Sequence, residues 1–168
     1  KSFMEWGMDG EANAFLEEVL LWLSENLPLN PNPKKLCWGD SRLGNILFEN
    51  SQVKSLLDWE MSTIGDPLCD LAWGLTTDDV SSYGLNIEKL PGSISNEEAI
   101  KFWEIKTGYS ADNFFYYRIL CLFKFSVIMI RVAKKLIHNE IMPLDSDFHV
   151  NNHVSNYLRQ EFNEKNNN

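Results

Sequence analysis

Cysteine is scarce in this sequence. Cys37, Cys69 and Cys121 are the only three among 168 residues, too few and too scattered for a disulfide framework or a paired-cysteine metal knuckle, and a reducing, cytoplasmic setting is expected. Basic charge is also short: 15 Lys and Arg stand against 24 Asp and Glu, a formal net charge of −9. A grip on nucleic-acid phosphates needs a basic face, so nucleic acid is excluded as an expected partner. Long apolar runs are missing. The most apolar window, residues 119–132, is broken by Lys124 and Arg131, and it falls short of the ~20 residues that cross a bilayer, so no membrane partner is expected. What is present, 44% hydrophobic, 12% aromatic and 23% charged residues, suits one compact globular domain.

The periodicity predicts mostly helix. Residues 11–25 carry Ala12, Phe15, Leu16, Val19, Leu20 and Leu23 at three- and four-residue steps, with Asp9 as N-cap and Pro28 ending the segment. Two apolar runs, 45–48 and 53–57, flank the turn-forming Glu49-Asn50-Ser51-Gln52 and predict a β-hairpin. Asp66-Pro67 is a helix start. The polar stretch 77–95 predicts a loop, followed by helices over 96–106, 112–138 and 147–162 and a frayed tail over 163–168.

Chemistry concentrates between Cys37 and Leu75. Asn45 and Asp58 stand at the two open ends of the predicted hairpin, where antiparallel pairing brings them within ~5 Å. An amide oxygen and a carboxylate are hard ligands of the kind Mg²⁺ takes together with phosphate oxygens and water. Asp40 lies on the loop entering the hairpin and is free to face the same point. This is the working half of a phosphoryl-transfer site: a loop Asp accepts the proton of the attacking hydroxyl while Mg²⁺ bridges the phosphates of ATP. Arg42, two residues on, is expected either to reach the transferred phosphoryl group or to form a surface salt bridge.

The ordered set Gly39-Asp40-x₄-Asn45, Asp58-Trp59 and Gly65-Asp66-Pro67-x₂-Asp70-Leu71-Ala72 resembles the aminoglycoside phosphotransferase family. Its wording is most similar to the phosphotransferase domains fused to acyl-CoA dehydrogenases. The resemblance implies an α+β, mainly α fold, the C-terminal lobe of a protein-kinase-like phosphotransferase, over residues 1–162. It implies Asp40 as catalytic base, Asn45 and Asp58 as Mg²⁺ and nucleotide ligands, and Asp70 as a structural acid behind the catalytic loop. The implied function is ATP-dependent transfer to a hydroxyl of a small molecule, either an aminoglycoside or a hydroxyacyl thioester. Trp38 stands where the family usually has His. The strand-rich, nucleotide-clamping N-terminal lobe is expected as a missing partner, and the chain alone is expected to be inactive. The competing reading is a degenerate kinase-like domain that binds or scaffolds without catalysis.

Other features have plainer readings. His149 and His153 are four apart on a predicted helix, a spacing open to a metal but more simply two surface residues. Trp59, Trp73, Phe114, Phe115, Phe123 and Phe125 read as core aromatics. Nine acids against one Lys between Asp58 and Glu98 form either a solvated face or a pocket for a cation. The basic residues from Arg118 to Lys135 suit the end of a helix dipole, with a contact to an anionic substrate such as a CoA phosphate as the alternative.

Overall fold

The computed structural model describes residues 2–8 and 13–166. Six α-helices and two small antiparallel sheets are present among them, and the residues group into two compact units.

One unit draws on Lys1–Leu27 and Ile119–Asn168. It holds α1 (Ser2–Met8), α2 (Ala14–Glu25), the greater part of α5 (Phe114–His138) and α6 (His153–Asn166). Helix α2 buries Leu16, Val19 and Leu23, the expected stripe. Its cap is Asn13, whose Oδ1 accepts from the Leu16 N–H at 3.1 Å; the expected cap, Asp9, lies outside the described residues. Phe162 of α6 meets Phe15 and Trp22 of α2 edge-on, at 6.1 and 5.9 Å between centroids. Two expectations need correction here. Helix α6 starts at His153 rather than near 147, because Asn152 is buried and its Oδ1 caps the N–H groups of Val154 and Ser155. His149 is therefore off the helix and shares no helical face with His153. At the other end, α6 runs on to Asn166 instead of fraying from 163.

The other unit is Pro28–Arg118. β1 (Lys35–Cys37) pairs antiparallel with β4 (Thr63–Gly65), and β2 (Ile46–Glu49) with β3 (Gln52–Leu56). The β2–β3 hairpin is the expected one, and Asn50 and Ser51 take the positive φ values of its turn, 49° and 61°. β4 leads through Asp66 into α3 (Leu68–Ser82), and Asp66 Oδ1 accepts from the Leu68 N–H at 2.9 Å, as its helix-start reading requires. The pairing of β1 with β4 was not expected: three-residue strands carry too little pattern to read.

The expected loop over 77–95 is corrected as well. Helix α3 continues to Ser82, a short 3₁₀ turn follows at Tyr83–Leu85, and only 86–95 is loop before α4 (Asn96–Thr107). Tertiary contacts override the polar composition. Asp79, 1% exposed, accepts from Lys89 at 2.8 Å, Asn96 at 2.7 Å and Arg118 at 2.7 Å. Those partners hold the last turns of the helix inside the unit.

Candidate active site

The β1–β4 pair delivers the chain from Cys37 into the loop 38–42 beside the first turn of α3. Gly39 adopts φ +93°, and a Cβ there would collide with the Met61 carbonyl, so only glycine fits. The Asp70 carboxylate of α3 holds this loop. Its Oδ2 accepts from the Trp38 N–H at 2.6 Å and its Oδ1 from the Gly39 N–H at 2.8 Å. Ser41 Oγ donates to the Asp70 carbonyl at 2.6 Å. One turn later Gly74 lets the helix approach: a Cβ would lie 2.7 Å from the Ser41 carbonyl oxygen.

Asp40 follows, half-buried, with both carboxylate oxygens engaged. Oδ1 accepts from the indole N–H of Trp73 at 2.7 Å. Oδ2 accepts from Asn45 Nδ2 at 2.6 Å and from Arg42 Nε at 3.1 Å. Burial pushes this carboxyl up, but the hydrogen bonds from Trp73, Arg42 and Asn45 outweigh it and hold the group below its ordinary 3.8. Arg42 is half exposed and pairs with Asp40.

Asn45 ends a 3₁₀ turn and is 6% exposed. Its Nδ2 donates to the backbone carbonyl and carboxylate of Asp40, while its Oδ1 accepts nothing among the described residues. The Leu57 N–H donates to the Asn45 carbonyl at 2.8 Å, so Asp58 lies one residue beyond the point opposite Asn45. Asp58 takes a left-handed φ of 61°. Its carboxylate is exposed and makes no hydrogen bond or ion pair among the described residues. Two residues with unengaged hard oxygens, Asn45 and Asp58, thus stand at one end of the hairpin. No cluster of three or more His, Cys, Asp or Glu suited to a metal occurs among the described residues. The donor set therefore fits an ion that completes its shell with phosphate and water, as Mg²⁺ does, and does not fit a protein-caged Zn²⁺.

A cavity of about 450 Å³ opens beside the loop, lined by Ser41, Arg42, Leu43 and Gly44 on one side and by Thr77, Asp78 and Ser81 of α3 on the other. Lys89 closes its rim, bridging Asp78 at 2.9 Å and Asp79 at 2.8 Å.

Sequence reasoning missed three contributors. Trp73, read as core, is buried but spends its N–H on Asp40; the signal was its place three residues after Asp70, on the same helical face. Trp59 is 41% exposed and not core. Arg118, read as part of a dipole-suited end, is a buried partner of Asp79.

The fold and this loop-and-hairpin geometry are those of a phosphotransferase with a kinase-like fold. The chain belongs to the phosphotransferase enzyme family, which it matches over residues 3–102. It is 39% identical over 97 residues to acyl-CoA dehydrogenase family member 11 of Pongo abelii, covering 52% of this chain and 12% of that protein. The corresponding Rattus norvegicus protein is 32% identical over 124 residues, or 67% of this chain and 16% of the relative. Member 10 of Mus musculus is 28% identical over 138 residues, or 71% and 12%. The chain thus spans well under a fifth of these relatives' length. A Ralstonia eutropha crystal structure put forward as an aminoglycoside phosphotransferase superposes with a TM-score of 0.69 at 19% identity, covering 94% of this chain and 49% of that one. No described helix is long and apolar enough to cross a membrane.

Proposed function

We propose that this chain is the acceptor- and metal-binding half of a phosphotransferase that moves the γ-phosphoryl group of ATP to a hydroxyl of a small molecule. The observation that carries the reading is Asp40: a carboxylate held in its charged form, hydrogen-bonded to Asn45 and directly preceding the cavity-lining segment Ser41–Gly44. Oδ2 already accepts two hydrogen bonds and Oδ1 only one. A carboxylate oxygen has two lone pairs, so the acceptor hydroxyl approaches Oδ1 and gives its proton there. Asn45 and Asp58 would hold Mg²⁺, which supplies charge neutralisation on the nucleotide phosphates. Arg42 lies at the cavity mouth, within reach of an incoming phosphoryl group.

For the acceptor, a hydroxyacyl compound suits the cavity better than an aminoglycoside. Its walls include Leu43, Ile46, Leu75 and Ile94, and its charged residues are Arg42, Asp78 and Lys89, the last two paired with each other. A polycation needs more carboxylates than this; Glu97 and Glu98 line an adjoining cavity that shares Lys89, Ser93, Ile94 and Asn96 with the first, on the side away from the loop 38–42. The reading includes a strand-rich nucleotide-clamping lobe as partner. Leu47, Phe48 and Val53 on the hairpin, each more than half exposed, suit cover by such a lobe.

The test is phosphate transfer from radiolabelled ATP, with Mg²⁺, to panels of hydroxyacyl thioesters and aminoglycosides, by this domain joined to a nucleotide-clamping lobe. Transfer to the thioesters that disappears in Asp40→Asn is expected. Absence of transfer to any acceptor would favour the scaffolding alternative, and transfer indifferent to Asp40→Asn would remove the base assignment.

A further inference from the structure

We infer that Trp38 and Trp59 form a two-indole clamp on the backbone that presents Asp58, which makes Trp38 a positioning residue for the metal site; this rests on the phosphotransferase reading above. Two successive carbonyls precede Asp58, and each accepts from a different indole. Trp59 Nε1 donates to the Leu56 carbonyl at 2.9 Å, and Trp38 Nε1 donates to the Leu57 carbonyl at 2.7 Å. The two rings lie against each other, 5.9 Å between centroids at 34°.

The peptide groups around Leu57 are therefore fixed on both sides. Its N–H is spent on the Asn45 carbonyl and its C=O on Trp38. That carbonyl belongs to the peptide group supplying the Asp58 N–H, so its orientation helps set the direction in which Asp58 leaves the chain. Asp58 sits at φ 61°, a left-handed conformation that aspartate reaches at modest cost, so the bonds flanking it decide how firmly it is kept. Asp58 itself contributes no side-chain bond that would impose it. The hold comes from Trp38, whose own backbone N–H is fixed to Asp70. One residue thus connects the α3 anchor of the catalytic loop to the open end of the hairpin. Trp38 is 8% exposed, and an aromatic ring without an N–H, as in phenylalanine, would leave the Leu57 carbonyl short of its donor.

The test is a Mn²⁺ titration of the 168-residue chain, with free Mn²⁺ read by electron paramagnetic resonance, on wild type, Asp58→Asn, Trp38→Phe, Trp38→His and Trp59→Phe. Folding is checked by circular dichroism. The expected pattern is loss of saturable binding in Asp58→Asn, weakening of about ten-fold or more in Trp38→Phe, and partial recovery in Trp38→His, which restores a ring N–H. A mere packing role for Trp38 predicts no recovery by the smaller histidine. If Asp58→Asn loses Mn²⁺ while Trp38→Phe binds as wild type does, the clamp is overturned and the metal site stands. If Asp58→Asn binds normally, the metal assignment fails and takes the clamp with it. Should Trp38→Phe not fold, Trp59→Phe decides: its ring is partly exposed, and unchanged Mn²⁺ binding there overturns the clamp.

Discussion

The indole N–H of Trp73 lies 2.7 Å from Oδ1 of Asp40, so helix α3 holds the proposed base directly. Three residues earlier on the same helix, Asp70 accepts the N–H groups of Trp38 and Gly39. Residues three apart share a helical face. One face of α3 therefore fixes both the backbone of the catalytic loop and the rotamer of its carboxylate, and local flexibility of the loop is suppressed where proton transfer demands a set geometry.

Replacing Trp73 by Phe removes one of the donors that hold the Asp40 carboxyl below its ordinary range. The expected result is an acid limb of the pH–rate profile displaced to higher pH, because a carboxyl with fewer donors gains its proton sooner as pH falls. A profile coincident with wild type would count against the assignment of Asp40.

Asp40→Asn keeps the shape of the side chain and removes the proton acceptor. Phosphate transfer should fall by about 10²–10⁴-fold, with the circular dichroism spectrum retained. Single-turnover measurements separate this loss from any change in acceptor binding.

Asp70→Ala leaves the N–H groups of Trp38 and Gly39 without their charged acceptor. Hydrogen bonds to charged groups contribute about 1.5–3 kcal/mol each, so urea denaturation should show a loss of roughly 3 kcal/mol or more on that basis. Asp70→Asn, which keeps one acceptor oxygen, should lose less. Equal stability in all three proteins would show that the loop is held elsewhere.

Asp79 ties folding to pH. Burial pushes its carboxyl up, but hydrogen bonds from Lys89, Arg118 and Asn96 outweigh this and hold it below 3.8. A carboxyl whose folded value is depressed stabilises fully above its unfolded value and loses that contribution as pH falls through the folded one. Melting temperature should therefore drop as pH is taken from the ordinary aspartate range down through the lower folded value. Asp79→Asn should flatten that acid dependence and cost about 3–5 kcal/mol at neutral pH, since Arg118 is left buried beside an uncharged partner.

Lys89→Ala frees the loop 86–95 from Asp78 and Asp79. Ser93 and Ile94 of that loop line the cavity, so the KM for the acceptor should rise more than kcat falls. A kcat-only effect would place the cavity outside acceptor binding.

The sequence by itself determined the hairpin and the helix starting after Asp66-Pro67, because each depends on local spacing: turn residues between apolar runs and a proline in a first turn. Asp40, Asn45 and Asp58 were legible as candidates from the hairpin and the loop entering it, and Asp70 only through the resemblance of the ordered motif to a known family. The tertiary structure alone decided which groups hold those residues. Trp73 and Asp40 are 33 positions apart, Trp38 and the Leu57 carbonyl 19, and Arg118 and Asp79 39; no periodicity records a partner at such a distance. The same is true of the helix that replaced the loop expected after residue 77. Its polar residues favoured a loop on composition, and burial of Asp79 among three donors reversed that preference once the chain had folded around it.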